Sequence, residues 1–154
     1  MNAGSSEHTR RDALRFAGLA TLALVMTSGR ADATPDEVNA AIAKLYGDKK
    51  FESGKIKLDV PEIAENGLVV PINLEVESPM TEADHVKAVH VFAEGNPLPN
   101  VISYKFTPAC GKAAASARMR LAQTQNIVCI AEMSNGNLYK ATATIKVTIG
   151  GCGG

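Results

Sequence analysis

A cysteine near the end of the chain is the residue with the clearest capacity for chemistry. Cys152 lies between two pairs of glycines, Gly150-Gly151 and Gly153-Gly154. Glycine has no Cβ and loses the most conformational freedom on ordering, so a run of it rarely joins a core. Five extended residues span roughly 17 Å at about 3.3 Å each. The pattern predicts a flexible arm, residues 150–154, that carries an exposed thiol. The alternative is a frayed terminus without a function.

The chain has three cysteines, so at least one of them has no intramolecular partner. Cys110 lies in a predicted turn and Cys129 in a predicted strand. Their segments are neighbours in sequence and can be neighbours in a sheet. Two arrangements therefore stay open, a Cys110–Cys129 disulfide and a buried pair of thiols. In both of them Cys152 is the odd thiol and the exposed one.

The surroundings of Cys152 in the sequence do not activate its thiol. No basic residue adjoins it, and the C-terminal carboxylate lies two residues away. Negative charge nearby favours the thiol over the thiolate, which is the reactive form. The arm therefore suits a carrier whose thiolate is generated inside the sites of partner enzymes.

The remaining polar residues form no catalytic or metal-binding motif. Apart from the N-terminal segment, the histidines are His85 and His90, and neither has a Cys or carboxylate at ligand spacing. We therefore expect no catalytic residue, no metal and no cofactor. The formal net charge is zero, which gives no electrostatic reason to expect binding to nucleic acid or to a membrane.

Residues 1–33 have the features of an export signal. The pair Arg10-Arg11 precedes the apolar run Phe16 to Met26, which is shorter than the roughly 20 residues that span a bilayer. Ala31-Asp32-Ala33 fits the small-x-small cleavage pattern, so the mature chain is predicted to begin at Thr34. The arginine pair resembles a twin-arginine signal, with an ordinary secretory signal as the alternative. Both predict the periplasm.

The twin-arginine route carries proteins that have already folded. Such cargo usually has a cofactor or a partner that is acquired in the cytoplasm. Because the chain shows no cofactor motif, we expect a partner protein to be exported with it.

Residues 34–149 predict one short helix followed by strands. Thr34 to Glu37 has the pattern of a capping box with proline at the first helical position, and Gly47 ends the helix. Apolar residues recur between them at helical spacing. The predicted buried stripe is Val38, Ala41, Ile42 and Leu45.

After Gly54 the apolar period changes to two, which indicates strands. Asn135-Gly136 is a strong hairpin signal, and Pro71 places its own strand at a sheet edge or a bulge. The predicted strands cover residues 56–60, 68–76, 86–93, 101–106, 113–121, 127–133 and 138–149. About seven short strands after a single helix favour an all-β fold, an immunoglobulin-like antiparallel β-sandwich.

Three stretches resemble the SoxY family, the sulfur carriers of bacterial thiosulfate oxidation. They are Ala64 to Pro71, Val91 to Pro99, and Asn137 to Thr142 continuing through Val147 to Gly154. The resemblance covers essentially all of the predicted mature chain. The Gly-Gly-Cys-Gly-Gly ending is very specific when it is combined with an export signal.

The resemblance implies that Cys152 holds the substrate as a cysteine S-conjugate. A haem enzyme couples thiosulfate oxidatively to the thiol, and a hydrolase then releases sulfate. A sulfane dehydrogenase, where present, oxidises the remaining sulfur. A SoxZ subunit, which has no signal of its own, would form a heterodimer with the chain and be exported with it. The resemblance assigns no role to Cys110 or Cys129.

Three other functions remain as alternatives. The ending Gly153-Gly154 is similar to carriers that use a C-terminal thiocarboxylate, although that chemistry needs ATP-dependent adenylation in the cytoplasm. A thiol–disulfide redox protein would use all three cysteines, although the chain has no Cys-x-x-Cys pair. A purely structural β-sandwich binder would not need Cys152.

Overall fold

The computed structural model describes residues 33–149. The predicted arm and residues 1–32 of the predicted signal lie outside the described residues. Helix α1 spans Pro35–Tyr46, and a 3₁₀ turn, Pro108–Cys110, lies between the fifth and sixth strands. The strands are β1 Ile56–Asp59, β2 Ile63–Ala64, β3 Val70–Val76, β4 Val86–Ala93, β5 Asn100–Lys105, β6 Ala113–Met119, β7 Gln125–Met133 and β8 Leu138–Val147.

Helix α1 begins at the capping box that the sequence predicts. The Glu37 amide donates to Thr34 Oγ1 at 3.3 Å, and Glu37 Oε2 accepts from the Thr34 amide at 3.0 Å. These two bonds satisfy backbone donors that the first helical turn leaves unpaired. At the other end, Gly47 has a φ of 63° and its amide donates to Ala43 O at 2.7 Å. Local hydrogen bonding therefore sets both helix ends.

The buried face of α1 differs from the predicted stripe. Val38, Ile42 and Tyr46 are buried, whereas Leu45 is 50% exposed. The Tyr46 ring packs edge-on against Phe51 with centroids 6.1 Å apart. The chain that follows the helix thus gives Tyr46 an apolar neighbour, and the helix faces the sheet with Tyr46 rather than with Leu45.

The strands form two sheets. One has the order β1-β3-β6 and is antiparallel throughout. The other has the order β2-β8-β7-β4-β5, and its pairs are antiparallel except for the parallel pair β2–β8. The predicted all-β fold with one short N-terminal helix is therefore confirmed. Strand β2 was not predicted, because two residues are too short to show a period.

The five-stranded sheet is buried on both faces along its centre. In β7, Cys129 and Ile127 face the core between the sheets, whereas Val128 and Ile130 join the cluster under α1. Phe92 of β4 also lies in the cluster under the helix. Residues 33–149 thus form three layers, with α1 on the outer face of the larger sheet. The near-continuous apolar runs of these strands reflect this two-sided burial.

Pro71 lies in β3, the central strand of the three-stranded sheet, so the prediction that its strand is an edge strand is wrong. It pairs with Arg118 of β6 on one side. On the other side, the β1 pairing ends at Asp59 opposite Asn73. Strand β3 is therefore a local edge at Pro71, and the missing N–H costs no ladder bond to β1.

Candidate functional site

Hydrogen bonds hold Thr148 and Ile149, the two described residues that follow β8, and we call these two residues the arm root. The Gly67 amide donates to Ile149 O at 2.8 Å, and the Thr148 amide donates to Ala64 O at 3.1 Å. Thr148 Oγ1 also donates to Glu65 O at 2.9 Å. Strand β2 and the segment that follows it are thus hydrogen-bonded to the last two described residues. Cys152 and its flanking glycines, Gly150, Gly151, Gly153 and Gly154, lie outside the described residues.

β8 ends at Val147, two residues earlier than predicted, and Ile149 does not join the apolar face of the strand. Its side chain is 68% exposed. The partner strand β7 begins at Gln125 opposite Ile145, so no strand continues alongside the chain at Ile149. The root of the arm therefore combines a fixed backbone with an exposed apolar side chain.

Several exposed apolar side chains lie at the end of the sandwich where β8 finishes. We call this the arm end. It includes β2, the segment from β2 to β3 and the turn from β4 to β5, because strand pairing brings these to the same end as Val147. Its exposed large apolar residues are Ile63, Leu68, Val69, Leu98 and Ile149.

The arm end is not among the sites predicted from the sequence, although the sequence contains signals for it. Leu68, Val69 and Val70 are consecutive apolar residues, so an alternating strand must expose one or more of them. Leu98 lies between two prolines in a turn and is 74% exposed. Apolar side chains that are exposed at one end of a sandwich are candidates for contacts with other proteins.

Two buried amides tie the loops of the arm end together. Gln125 Oε1 accepts from the Gly95 amide at 2.7 Å, and its Nε2 donates to Asn96 Oδ1 at 3.0 Å and to Gln123 O at 3.1 Å. Asn96 Nδ2 donates to Arg120 O at 2.8 Å. The turn after β4 is thereby joined to the turn before β7. Buried amides that are fully hydrogen-bonded rigidify their surroundings, so this network stiffens the loops of the arm end.

Cys110 and Cys129 are both free cysteines, and only one of them is buried. Cys129 faces the core between the sheets, and burial raises the pKa of its thiol to about 12. Cys110 is exposed in the 3₁₀ turn, with its Sγ 3.8 Å from Thr107 Oγ1. The predicted disulfide and the alternative of a buried thiol pair are both wrong. The turn after β5 carries Cys110 to the surface, away from the core that contains Cys129.

We expect a thiol-alkylating reagent to distinguish the three cysteines of the native protein. At about pH 8 it should label Cys110 and Cys152 but not Cys129, because burial blocks access and keeps that thiol protonated. Peptide mass spectrometry after labelling with and without denaturant measures this. The Cys110→Ser variant is the control and should lose one native label. Labelling of Cys129 before unfolding would contradict the structure.

The histidines considered for metal binding have separate local roles. His85 Nδ1 lies 3.0 Å from Thr81 O, and His90 Nδ1 lies 2.8 Å from Ser103 Oγ. The His90 ring packs against Tyr46 with centroids 6.0 Å apart, and burial lowers its pKa. Within residues 33–149, no group of three His, Cys, Asp or Glu side chains is arranged to hold a metal.

A surface hollow lies elsewhere, on the outer face of the three-stranded sheet. It has a volume of about 390 Å³ and is lined by residues of β1, β3 and β6. Two of its lining residues are joined by a hydrogen bond, in which Asn73 Nδ2 donates to Asp59 Oδ2 at 3.1 Å. Its lining contains no histidine or cysteine.

The helical segments that the structure describes are too short and too polar to cross a bilayer.

Comparison with solved structures finds the same architecture in two kinds of protein. The sulfur carrier protein SoxY from Chlorobium limicola f thiosulfatophilum is 32% identical, with a TM-score of 0.63 over 75% of this chain and 100% of that one. A superoxide reductase (neelaredoxin) from Ignicoccus hospitalis is 21% identical, with a TM-score of 0.55 over 74% of this chain and 92% of that one. The second likeness concerns the fold alone. Comparison with curated proteins finds no match.

The family comparison includes the residue with the clearest chemistry. Residues 42–152 match the family described as sulfur oxidation protein SoxY. The match therefore runs from the middle of α1 through both sheets and the arm root to Cys152. It covers well over half of the chain, and the 32% identity to a solved SoxY structure agrees with it. The chain belongs to the SoxY family of sulfur oxidation proteins.

Proposed function

We propose that this protein is a sulfur carrier of periplasmic thiosulfate oxidation and holds its intermediates on the thiol of Cys152. The observation that supports this most is the family match, which extends past the arm root to that cysteine. The similar structure from Chlorobium is itself described as a sulfur carrier protein. The export signal expected in residues 1–33 accounts for the periplasmic location.

The root geometry suits a carrier. Ile149 is held by the Gly67 amide, and Cys152 follows three residues later. Three extended residues span about 10 Å. A partner enzyme that takes this thiol into its site must therefore approach the arm end closely. The exposed apolar side chains there offer a surface to which several enzymes can bind in turn.

The proposed chemistry on Cys152 has three steps, each carried out by a partner enzyme. Coupling forms an S–S bond between Sγ and the sulfane sulfur of thiosulfate, with loss of the thiol proton and of an electron pair to a haem enzyme. A hydrolase then adds water at the terminal sulfonate. The bond between sulfane and sulfonate sulfur breaks, sulfate leaves, and a persulfide stays on Cys152. A sulfane dehydrogenase, where the organism has one, oxidises that remaining sulfur.

In this proposal the chain is not an enzyme and needs no cofactor of its own. The partner enzymes supply the oxidant, the hydrolytic site and the base that generates the thiolate. A SoxZ subunit accompanies the chain as a heterodimer and is exported with it by the twin-arginine route. This explains why a chain without a cofactor motif would carry a signal for folded cargo.

The intact mass of protein purified from the periplasm of thiosulfate-grown cells tests the proposal. We expect adducts that thiol reductant removes, located by peptide mass spectrometry on Cys152, and a mature N-terminus at Thr34. The Cys110→Ser variant is the matched control and should keep the same adducts. Adducts confined to Cys110, or adducts that are missing under thiosulfate growth, would contradict a carrier role for Cys152.

A further inference from the structure

One side of the β-sandwich leaves two long strand edges open. Strand β5 pairs with β4, and strand β6 pairs with β3; within residues 33–149 neither has a second neighbour. An edge strand presents unpaired N–H and C=O groups that can pair with a strand of another chain. These two edges follow each other in the chain and border the same side of the sandwich.

The opposite side is protected. Strand β1 has four residues and β2 has two, and Pro61 separates them. Short strands and proline are devices that prevent pairing with another chain. Strands β5 and β6 contain no proline, and their charged residues are only Lys105 and Arg118. The two sides of the sandwich therefore differ in how far they resist strand addition.

The register of β5 identifies the free backbone groups. The Phe106 amide donates to Lys87 O at 2.9 Å, so the backbone of Phe106 points toward β4. Antiparallel pairing alternates along the strand, with Ser103 opposite His90 and Lys105 opposite Ala88. The N–H and C=O groups of Ser103 and Lys105 therefore point away from β4, toward the open edge.

Apolar side chains along the same edge are incompletely covered. Ile102, Tyr104 and Phe106 pack against the core between the sheets but remain partly exposed. The rings of Tyr104 and Phe106 lie 6.2 Å apart. Ala115 and Ala117 of β6 also contact the core and are only partly buried. The apolar core is thus partly exposed to solvent along β5 and β6. A strand added at this edge would cover these side chains.

We propose that a partner chain adds a β-strand to the free edge of β5, and that this edge is where the partner subunit of the proposed function binds. The inference rests on that proposed function for the identity of the partner. The strand that fits has apolar side chains toward the core margin and an acidic side chain near Lys105. Lys105 forms no ion pair with any described residue, so its charge is available to such a partner.

Two substitutions at Ser103 separate the backbone contact from the side chain. Ser103→Ala and Ser103→Pro both remove the contact of Oγ with His90. Only Ser103→Pro also removes the outward N–H, and proline is tolerated at edge positions where that group faces solvent. With the SoxZ subunit of the same organism as the probe, sedimentation should detect the heterodimer for wild type and Ser103→Ala. Ser103→Pro should bind about tenfold more weakly or not at all.

Amide hydrogen exchange of the wild-type protein gives a test that does not depend on how Ser103→Pro folds. Binding of SoxZ should slow exchange at the amides of Ser103 and Lys105 by about tenfold or more. Unchanged exchange there, or an equally stable heterodimer with Ser103→Pro, would overturn the assignment. Self-association of the chain alone that Ser103→Pro abolishes would also overturn it, because a second copy would then occupy the edge.

The test of SoxZ binding at β5 can fail independently of the test of the carrier proposal at Cys152. A Cys152→Ser variant should still bind SoxZ through β5, since the proposed contact uses the backbone of β5 and Cys152 follows β8 in the sequence. If the heterodimer forms through another surface while adducts still appear on Cys152, the inference about β5 fails and the carrier function stands.

Discussion

Replacing Cys152 with serine should abolish thiosulfate oxidation that depends on this protein. Serine is close in size to cysteine, but its oxygen cannot form the S–S bond that holds the intermediate. Its hydroxyl also ionises at a far higher pH than a thiol, which removes the nucleophile on which partner enzymes would act. The measurement is thiosulfate consumption and sulfate release by cells whose only copy is the variant, and both should fall to background.

The matched control for this experiment is Cys110→Ser. It makes the same chemical change at Cys110, which is exposed in the 3₁₀ turn after β5. We expect the control cells to oxidise thiosulfate at the wild-type rate. Equal thermal melting of the two purified variants would show that both keep the fold. Wild-type oxidation by Cys152→Ser cells would make the carrier proposal wrong.

The second large effect is expected in the cluster under α1. Ile42→Ala should lower the free energy of unfolding by about 2–5 kcal/mol, because it removes a buried side chain that packs between the helix and the five-stranded sheet. Leu45→Ala on the same helix should cost less than about 1 kcal/mol, because that side chain is 50% exposed. Urea unfolding of the mature protein measures both changes.

This pair of variants also compares two interpretations of the helix. The predicted stripe treats Ile42 and Leu45 alike, since both fall at helical spacing from Val38. The structure turns the helix so that Tyr46 replaces Leu45 at the sheet. Equal losses for the two variants would favour the predicted stripe and contradict the packing of Tyr46 against Phe51.

Much of the fold could be predicted because it depends on neighbours in the sequence. The capping box joins Thr34 and Glu37, three residues apart. Alternating or near-continuous apolar runs located seven of the eight strands, and Asn135-Gly136 marked the turn before β8. These features are set by local hydrogen bonding and side-chain period, so a single stretch of sequence is sufficient to identify them.

Other features depend on residues that are distant in the sequence. The parallel pair of Ile63 with Lys146 joins segments 83 positions apart, and two residues leave no periodic trace. Whether Cys110 lies close to Cys129 depended on the direction in which the turn after β5 leaves the sheet. The open edge of β5 followed only from the order of strands in the sheets.

The sequence by itself determined the residue types at the site, with Cys152 between glycines and the family resemblance that surrounds it. Those are properties of adjacent residues and need no fold. Only the tertiary structure decided that Cys129 is buried and Cys110 exposed, and that Ile149 is held by Gly67 at an apolar end of the sandwich. Burial and anchoring are sums of contacts between distant segments, and such contacts exist only once both sheets and the helix have packed together.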